Sequence, residues 1–219
     1  MRIPPKKILS SLTQLQKKES INQTLKKRPR NRPVLVFGYG SLLWKPIILF
    51  KGYEKGKLNG WSRKVCSWTV HARGTVKKPG LVFSLDKDKA GCCEGLVFEL
   101  DEAFLEQDLE TLWEQEMHSN LYKPQWLPVI TQGGPCLAIA FTINQNHPLY
   151  AGDIPDDKAV DIISAANGVF GACADYFTNT TQSLRNLGLN DSKLEEIVRL
   201  IQQRTTKSAA CILQVVGGQ

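Results

Sequence analysis

The chain has 219 residues, 42% apolar and 22% charged, enough for one domain around a real core and ordinary for a globular protein. Its net charge of +7 is uneven: residues 1–32 hold ten Lys or Arg against one acid, Glu19, and the other 18 basic and 20 acidic residues leave the body slightly negative. Charge therefore excludes the folded part as a nucleic-acid-binding domain, and no apolar run approaches the ~18 residues of a membrane span or the apolar stretch of a signal peptide.

The expectation is a soluble, cytoplasmic chain in three parts: a basic N-terminal extension, 1–32; a domain, 33–206; and a C-terminal tail, 207–219. A charge run of this kind is ordinarily solvated. Within it Ile8, Leu9, Leu12 and Leu15 stand at helical spacing, which suggests a short helix docking on the domain, followed by the linker "KKRPRNRP".

A β-rich half follows. Strand-like runs cover Val34–Phe37, Gly60–Ala72, Gly80–Leu85 and Gly91–Leu100, separated by Gly, Pro and Asp-Lys turns. Next comes a helix, "DEAFLEQDLETLWEQEM" (101–117), with Asp101 as its expected N-cap. "QWLPVIT" and "CLAIAFTI" read as two more strands. After a loop, helices are expected at 157–167, 171–187 and 192–204, the last capped by Asp191 or Ser192. This order predicts an α+β fold, a small mixed β-barrel with flanking helices.

Two features carry chemistry. On the helix at 101–117, Glu106, Glu110 and Glu114 share one face, expected to be wet, while Leu105, Leu109, Leu112 and Trp113 form the core stripe. Glu116 falls on the apolar side, between Leu105 and Leu109. A carboxylate kept from water without a cation has its pKa pushed up, as a general base or acid near neutral pH requires; a frayed helix end with the Glu turned outward is the other reading. The second feature is "VFGYGSLL", where Gly38 and Gly40 flank Tyr39 at the end of the first strand. It lacks the third glycine of a dinucleotide loop and the G-K-S/T ending of a phosphate loop. Its glycines free backbone N–H groups to meet a carboxylate or a developing oxyanion, unless it is simply a tight turn. Six cysteines (Cys66, Cys92, Cys93, Cys136, Cys173, Cys211) form no C-x-x-C pair, so they are read as small buried hydrophobes and no metal site is expected.

In order, "VFGYGSLLWKP", "GWSRKVCSWTVHARGTVKKPGLVFSL", "LWEQEMHSNLYKPQWLPV", "NHPLYAG" and "FGACADYF" resemble the ChaC-type γ-glutamylcyclotransferases, from about Pro33 to Arg204. The resemblance implies the fold of that family and conversion of γ-glutamyl compounds, glutathione above all, to 5-oxoproline and a released amine, with no metal or organic cofactor. It implies that Phe37, Gly38, Tyr39, Gly40, Ser41 and Leu42 hold the γ-glutamyl group, that Glu116 is the catalytic carboxylate, and that Arg73 and Tyr176 contact the substrate; a structural arginine in a barrel turn and a core tyrosine with a satisfied hydroxyl are the other readings of the last two. Two stretches depart from the family pattern: His71-Ala72-Arg73-Gly74-Thr75, where relatives read D-H-R-G-T, and Asn167-Gly168-Val169-Phe170-Gly171 ahead of the tyrosine. Other γ-glutamyl peptides or amines as substrates, or a non-catalytic binding module on the same fold, are the alternatives.

Overall fold

The computed structural model describes residues 1–216, with side chains described through residue 204 and at Thr206. The apolar run that opens the domain becomes β1 (Leu35–Gly38). It lies antiparallel to β3 (Gly80–Leu100), with Gly38 opposite Leu96, and parallel to β5 (Gly134–Ile143), with Val36 opposite Ile139. Its two faces enter two cores: Phe37 joins the cluster inside the barrel, with Leu58, Phe83 and Phe177, and Val36 joins a second with Phe98, Leu112 and Trp113. A strand buried on both faces reads as continuous hydrophobicity rather than alternation, as Val34–Phe37 does.

β2 (Phe50–Thr69) pairs along almost all of β3, and β4 (Tyr122–Thr131) pairs with β5, so the barrel closes in the order β1-β3-β2-β4-β5. Register shifts at Phe50/Gly52, Asn59/Trp61 and Val65/Ser67 add the twist and bend that a ribbon needs to wrap a barrel. Two expectations are corrected here. The Asp-Lys stretch 86–89 is not a turn, because Ser62 opposes Asp86 and Trp61 opposes Lys87 across the ribbon, making 80–100 one strand. Residues 50–59, outside the expected strand runs, are strand; only Gly56 and Leu58 among them are buried, so the solvent-facing Lys and Glu hide the alternation.

The helix expected from 101 begins at Leu105 instead: α2 is Leu105–Glu116, preceded by a turn in which Asp101 accepts from Ala103 N–H and Phe104 N–H. It buries Leu109, Leu112 and Trp113, and also Asp108, whose Oδ1 accepts Leu49 N–H at 3.0 Å. α3 (Asp156–Ala165), the short ribbon of β6 (Asn167–Gly168) and β7 (Gly171–Ala172), α4 (Cys173–Asn186) and α5 (Ser192–Val216) complete the fold. Asp191 caps α5 through Oδ1, which accepts Leu194 N–H at 3.0 Å. This helix passes the expected end at Arg204, since the first stop signal in the sequence is Gly217-Gly218.

The N-terminal extension folds back on the domain. Its helix, α1 (Gln14–Leu25), starts later than Ile8, where Thr13 and Gln16 form a reciprocal capping box. Leu9 and Leu12 pack on the two cores from an extended segment, whereas Ile8 and Leu15 are exposed. Among the cysteines, Cys66, Cys93 and Cys173 are buried and Cys136 half-buried, but Cys92 is exposed; the Cys211 side chain lies outside the described residues. No helix among the described residues is long and apolar enough to cross a membrane.

Leu58 is fully buried in the barrel. Leu58→Ala is expected to lower unfolding free energy by about 2–5 kcal/mol in urea titration, with an unchanged denaturant slope; a loss below 1 kcal/mol would mean the barrel interior can collapse around the gap.

Candidate active site

β1 runs out at Gly38, and the chain turns through Tyr39 and Gly40 into a single 3₁₀ turn, Ser41–Leu43. Space explains both glycines. A Cβ on Gly38 would stand 2.7 Å from the Phe98 ring, and one on Gly40 would stand 3.2 Å from the Tyr176 hydroxyl. The turn's own bonds begin with Leu43 N–H to Gly40 C=O, 3.0 Å, which leaves the Ser41 and Leu42 N–H groups outside them. Arg63, on β2, fixes the loop from behind. Its Nε donates to Tyr39 C=O at 2.8 Å, Nη2 to Glu94 C=O at 2.7 Å and Nη1 to the Asp191 carboxylate, while the guanidinium lies 5.7 Å from the Phe83 ring centre.

Glu116, the last residue of α2, faces this loop. Phe37 through Leu42, Glu116 and Tyr176 come together with Phe83, Tyr122 and Phe141 around a small cavity of about 40 Å³. As a whole residue Glu116 is half-buried, but its carboxyl points into the cavity wall, and burial pushes its pKa up, with only the Gln115 amide pulling it back down. That amide, 2.9 Å from Glu116 Oε1, also reaches Ser41 Oγ at 3.3 Å, bridging helix to loop. No described cation pairs with Glu116. The three surrounding phenols, Tyr39, Tyr122 and Tyr176, are raised by burial first; Tyr122 raises the other two further and Glu116 raises all three, so at neutral pH they are protonated. Tyr39 donates to Phe141 C=O at 2.7 Å, Tyr122 lies 3.2 Å from Ser84 Oγ, and Tyr176 stacks on Phe83 with ring centres 4.6 Å apart. An uncompensated carboxylate opposite free backbone N–H groups and phenolic donors can accept a proton from a bound group while the donors stabilise negative charge on it.

Arg73 does not line this cavity; its Nη1 donates to Ala172 C=O at 3.2 Å, ahead of α4. Arg63, Phe83, Tyr122 and Phe141 were not assigned to the site from sequence. Arg63 alone left a trace, standing in phase with Trp61 and Val65 on its strand, among positions an ordinary surface cation does not occupy. A larger hollow of about 540 Å³ shares Phe83 and lies against the starts of α3 and α5. Its cations are already matched, Arg63 with Asp191, Lys193 with Asp156 and Lys64 with Asp88; the smaller cavity, which sets a carboxyl raised by burial opposite the glycine loop, is the better chemical site.

Residues 34–204 match the family described as ChaC-like protein. The glutathione-specific γ-glutamylcyclotransferase of Escherichia coli K12 is 35% identical over 184 residues, covering 84% of this chain and 79% of that protein. Glutathione-specific γ-glutamylcyclotransferase 1 of Mus musculus is 29% identical over 168 residues, 74% of this chain and 75% of its own length. The crystal structure of a yeast γ-glutamyl cyclotransferase specific to glutathione superposes with a TM-score of 0.73 at 17% identity, over 79% of this chain and 97% of that one, which establishes the γ-glutamylcyclotransferase-like fold.

Because burial raises the folded-state pKa of Glu116 above 4.5, the folded protein holds this proton more tightly than the unfolded chain. Stability from this group is complete below pH 4.5 and is lost as pH rises through the raised value. Glu116→Gln is therefore expected to melt above the wild type at pH 7, the gap closing on acidification below pH 4.5; a variant less stable than wild type at pH 7 would contradict the burial argument. Arg63→Met, which strands a carboxylate and two carbonyls, is expected to cost about 3–5 kcal/mol in chemical denaturation, and a neutral result would remove Arg63 as the support of the loop.

Proposed function

The chain belongs to the ChaC-like family, and we propose that it is a γ-glutamylcyclotransferase that cleaves glutathione to 5-oxoproline and Cys-Gly, with Glu116 as the proton shuttle. The observation that carries this reading is the cation-free, pKa-raised carboxyl of Glu116 facing the glycine loop across one cavity. Cyclisation needs no enzyme nucleophile, because the substrate's α-amine attacks its own γ-carbonyl. A C–N bond forms to close the five-membered ring, the amide C–N bond to cysteine breaks, and no water is consumed. The amine must be neutral to attack. Glu116 takes its proton and then, as the acid, gives it to the departing nitrogen, so a pKa above the ordinary carboxylate range suits both steps.

The loop supplies the rest. The N–H groups of Ser41 and Leu42 are placed to meet the oxyanion of the tetrahedral intermediate, and one such donor is worth roughly 3 kcal/mol in the transition state. The closed walls of Phe37, Tyr39, Phe83 and Phe141 fold the γ-glutamyl arm back on itself, bringing amine and carbonyl within reach. The Tyr176 hydroxyl, above Gly40, is assigned to the α-amino-acid end of the substrate. Residues 33–206 would form the catalytic unit.

The test is 5-oxoproline release from glutathione by the wild type and by Glu116→Gln, beside γ-glutamyl peptides and amines with other leaving groups. The expected outcome is release by the wild type, preference for glutathione, and a loss of at least 100-fold in the variant, on the order of a general base's contribution. Wild-type activity surviving in Glu116→Gln would remove the shuttle. A folded wild type inert on every γ-glutamyl compound would favour a non-catalytic module.

A further inference from the structure

α2 ends on Glu116, and a helix end is where backbone order is ordinarily weakest, because its last carbonyls lack partners within the helix. The last closure here is Met117 N–H to Trp113 C=O, 2.9 Å. Past that point the partners come from the N-terminal arm. Leu12 N–H donates to His118 C=O at 2.8 Å, and Ser11 Oγ lies 2.9 Å from His118 Nε2. Two and three residues before Glu116, the ammonium of Lys17, on a side chain only 6% exposed, meets the Glu114 carboxylate at 2.5 Å, and Trp113 Nε1 donates to Ser20 Oγ at 3.0 Å. The arm thus grips α2 on both sides of Glu116.

The arm is itself anchored at both ends. Arg2 N–H donates to Ala151 C=O at 2.6 Å and Arg2 C=O accepts Trp68 Nε1 at 3.0 Å; Thr24 C=O accepts Trp126 Nε1 at 2.8 Å. A solvated tail would not bury a lysine, and an arm built to attract an outside polyanion would leave its helix cations free instead of spending Lys17 and Lys18 on Glu114 and Glu110. The arm's own residues in these contacts lie outside 34–204, the range of the family match.

Resting on the reading of Glu116 as the base, we propose that the arm is a positioning element of the active site: Ser11, Lys17 and Ser20 act through α2 to hold the Glu116 carboxyl at its distance from the glycine loop. Proton transfer is steep in distance, and a 1 Å misplacement can cost on the order of 100-fold in rate. No hydrogen bond or ion pair among the described residues joins the binding loop to the arm, so the cost falls on turnover more than on substrate affinity.

The test uses full-length protein with Lys17→Met, Lys17→Glu and the charge reversal Lys17→Glu/Glu114→Lys, measured for kcat and KM on glutathione beside Glu116→Gln, with hydrogen exchange followed at residues 114–121. The proposal expects the single Lys17 variants to lose about tenfold or more in kcat per folded molecule, KM to stay within about twofold, exchange to rise at 114–121 but not in the barrel, and the charge reversal to recover most of kcat. Should Lys17→Glu fail to fold, Ser11→Ala and Ser20→Ala carry the same kcat test. Wild-type kcat in the Lys17, Ser11 and Ser20 variants alongside an inactive Glu116→Gln overturns the arm's role and leaves the base standing. An active Glu116→Gln overturns both.

Discussion

The architecture turns on one buried guanidinium. Arg63 is almost wholly removed from water, and the desolvation of such a cation costs several kcal/mol even after relaxation. The cost is offset because each of its three nitrogens finds a fixed acceptor: the Tyr39 carbonyl of the glycine loop, the Glu94 carbonyl of β3 and the Asp191 carboxylate. Asp191 uses its other oxygen to cap α5. One side chain therefore ties the glycine loop, the long ribbon and the last helix to a common point, and none of the three can shift without costing this buried charge a partner. Lysine, a point charge without the fork, would not satisfy the same three acceptors.

That rigidity gives the carboxylate opposite the loop its meaning. A Glu at a helix end ordinarily finds water or a cation and titrates near the usual carboxylate range. Glu116 is denied both by the ring-lined wall and by the diversion of neighbouring cations to other partners: Lys17 and Lys18 go to Glu114 and Glu110, and Arg63 to Asp191. The Gln115 amide, shared between Glu116 and Ser41, keeps the carboxyl aimed at the loop without neutralising it. The charge pattern of α2 is thus divided by function, its outer acids holding the arm and its inner acid reserved for the cavity.

How much of this was legible follows from the range of each signal. Glu116 was readable because three acids on one helical phase throw a fourth on the apolar phase into relief, a local comparison. The loop was readable from two glycines within three residues, and the barrel from closely spaced strands. Arg63 was legible only in its phase with Trp61 and Val65, since its partner Asp191 lies 128 residues away. The long ribbon was misread where charge alternation on its solvent face imitates a turn. A docking helix was expected in the arm, but its charge run was read as solvated because its lysines and the acids of α2 were weighed separately; Thr13 and Gln16, a capping box in plain sequence, would have placed the helix start. Arg73 follows its other reading, that of a structural arginine: its guanidinium holds the entry to α4 and does not line the cavity.

The most direct measurement is a ¹³C NMR titration of the Glu116 carboxyl in the folded protein, set beside the acid limb of turnover on glutathione. The account predicts a midpoint above 4.5, with activity falling on acidification along the same curve. A carboxyl titrating at or below 4.5, or an acid limb that ignores its protonation, would contradict the claim that burial makes Glu116 the base.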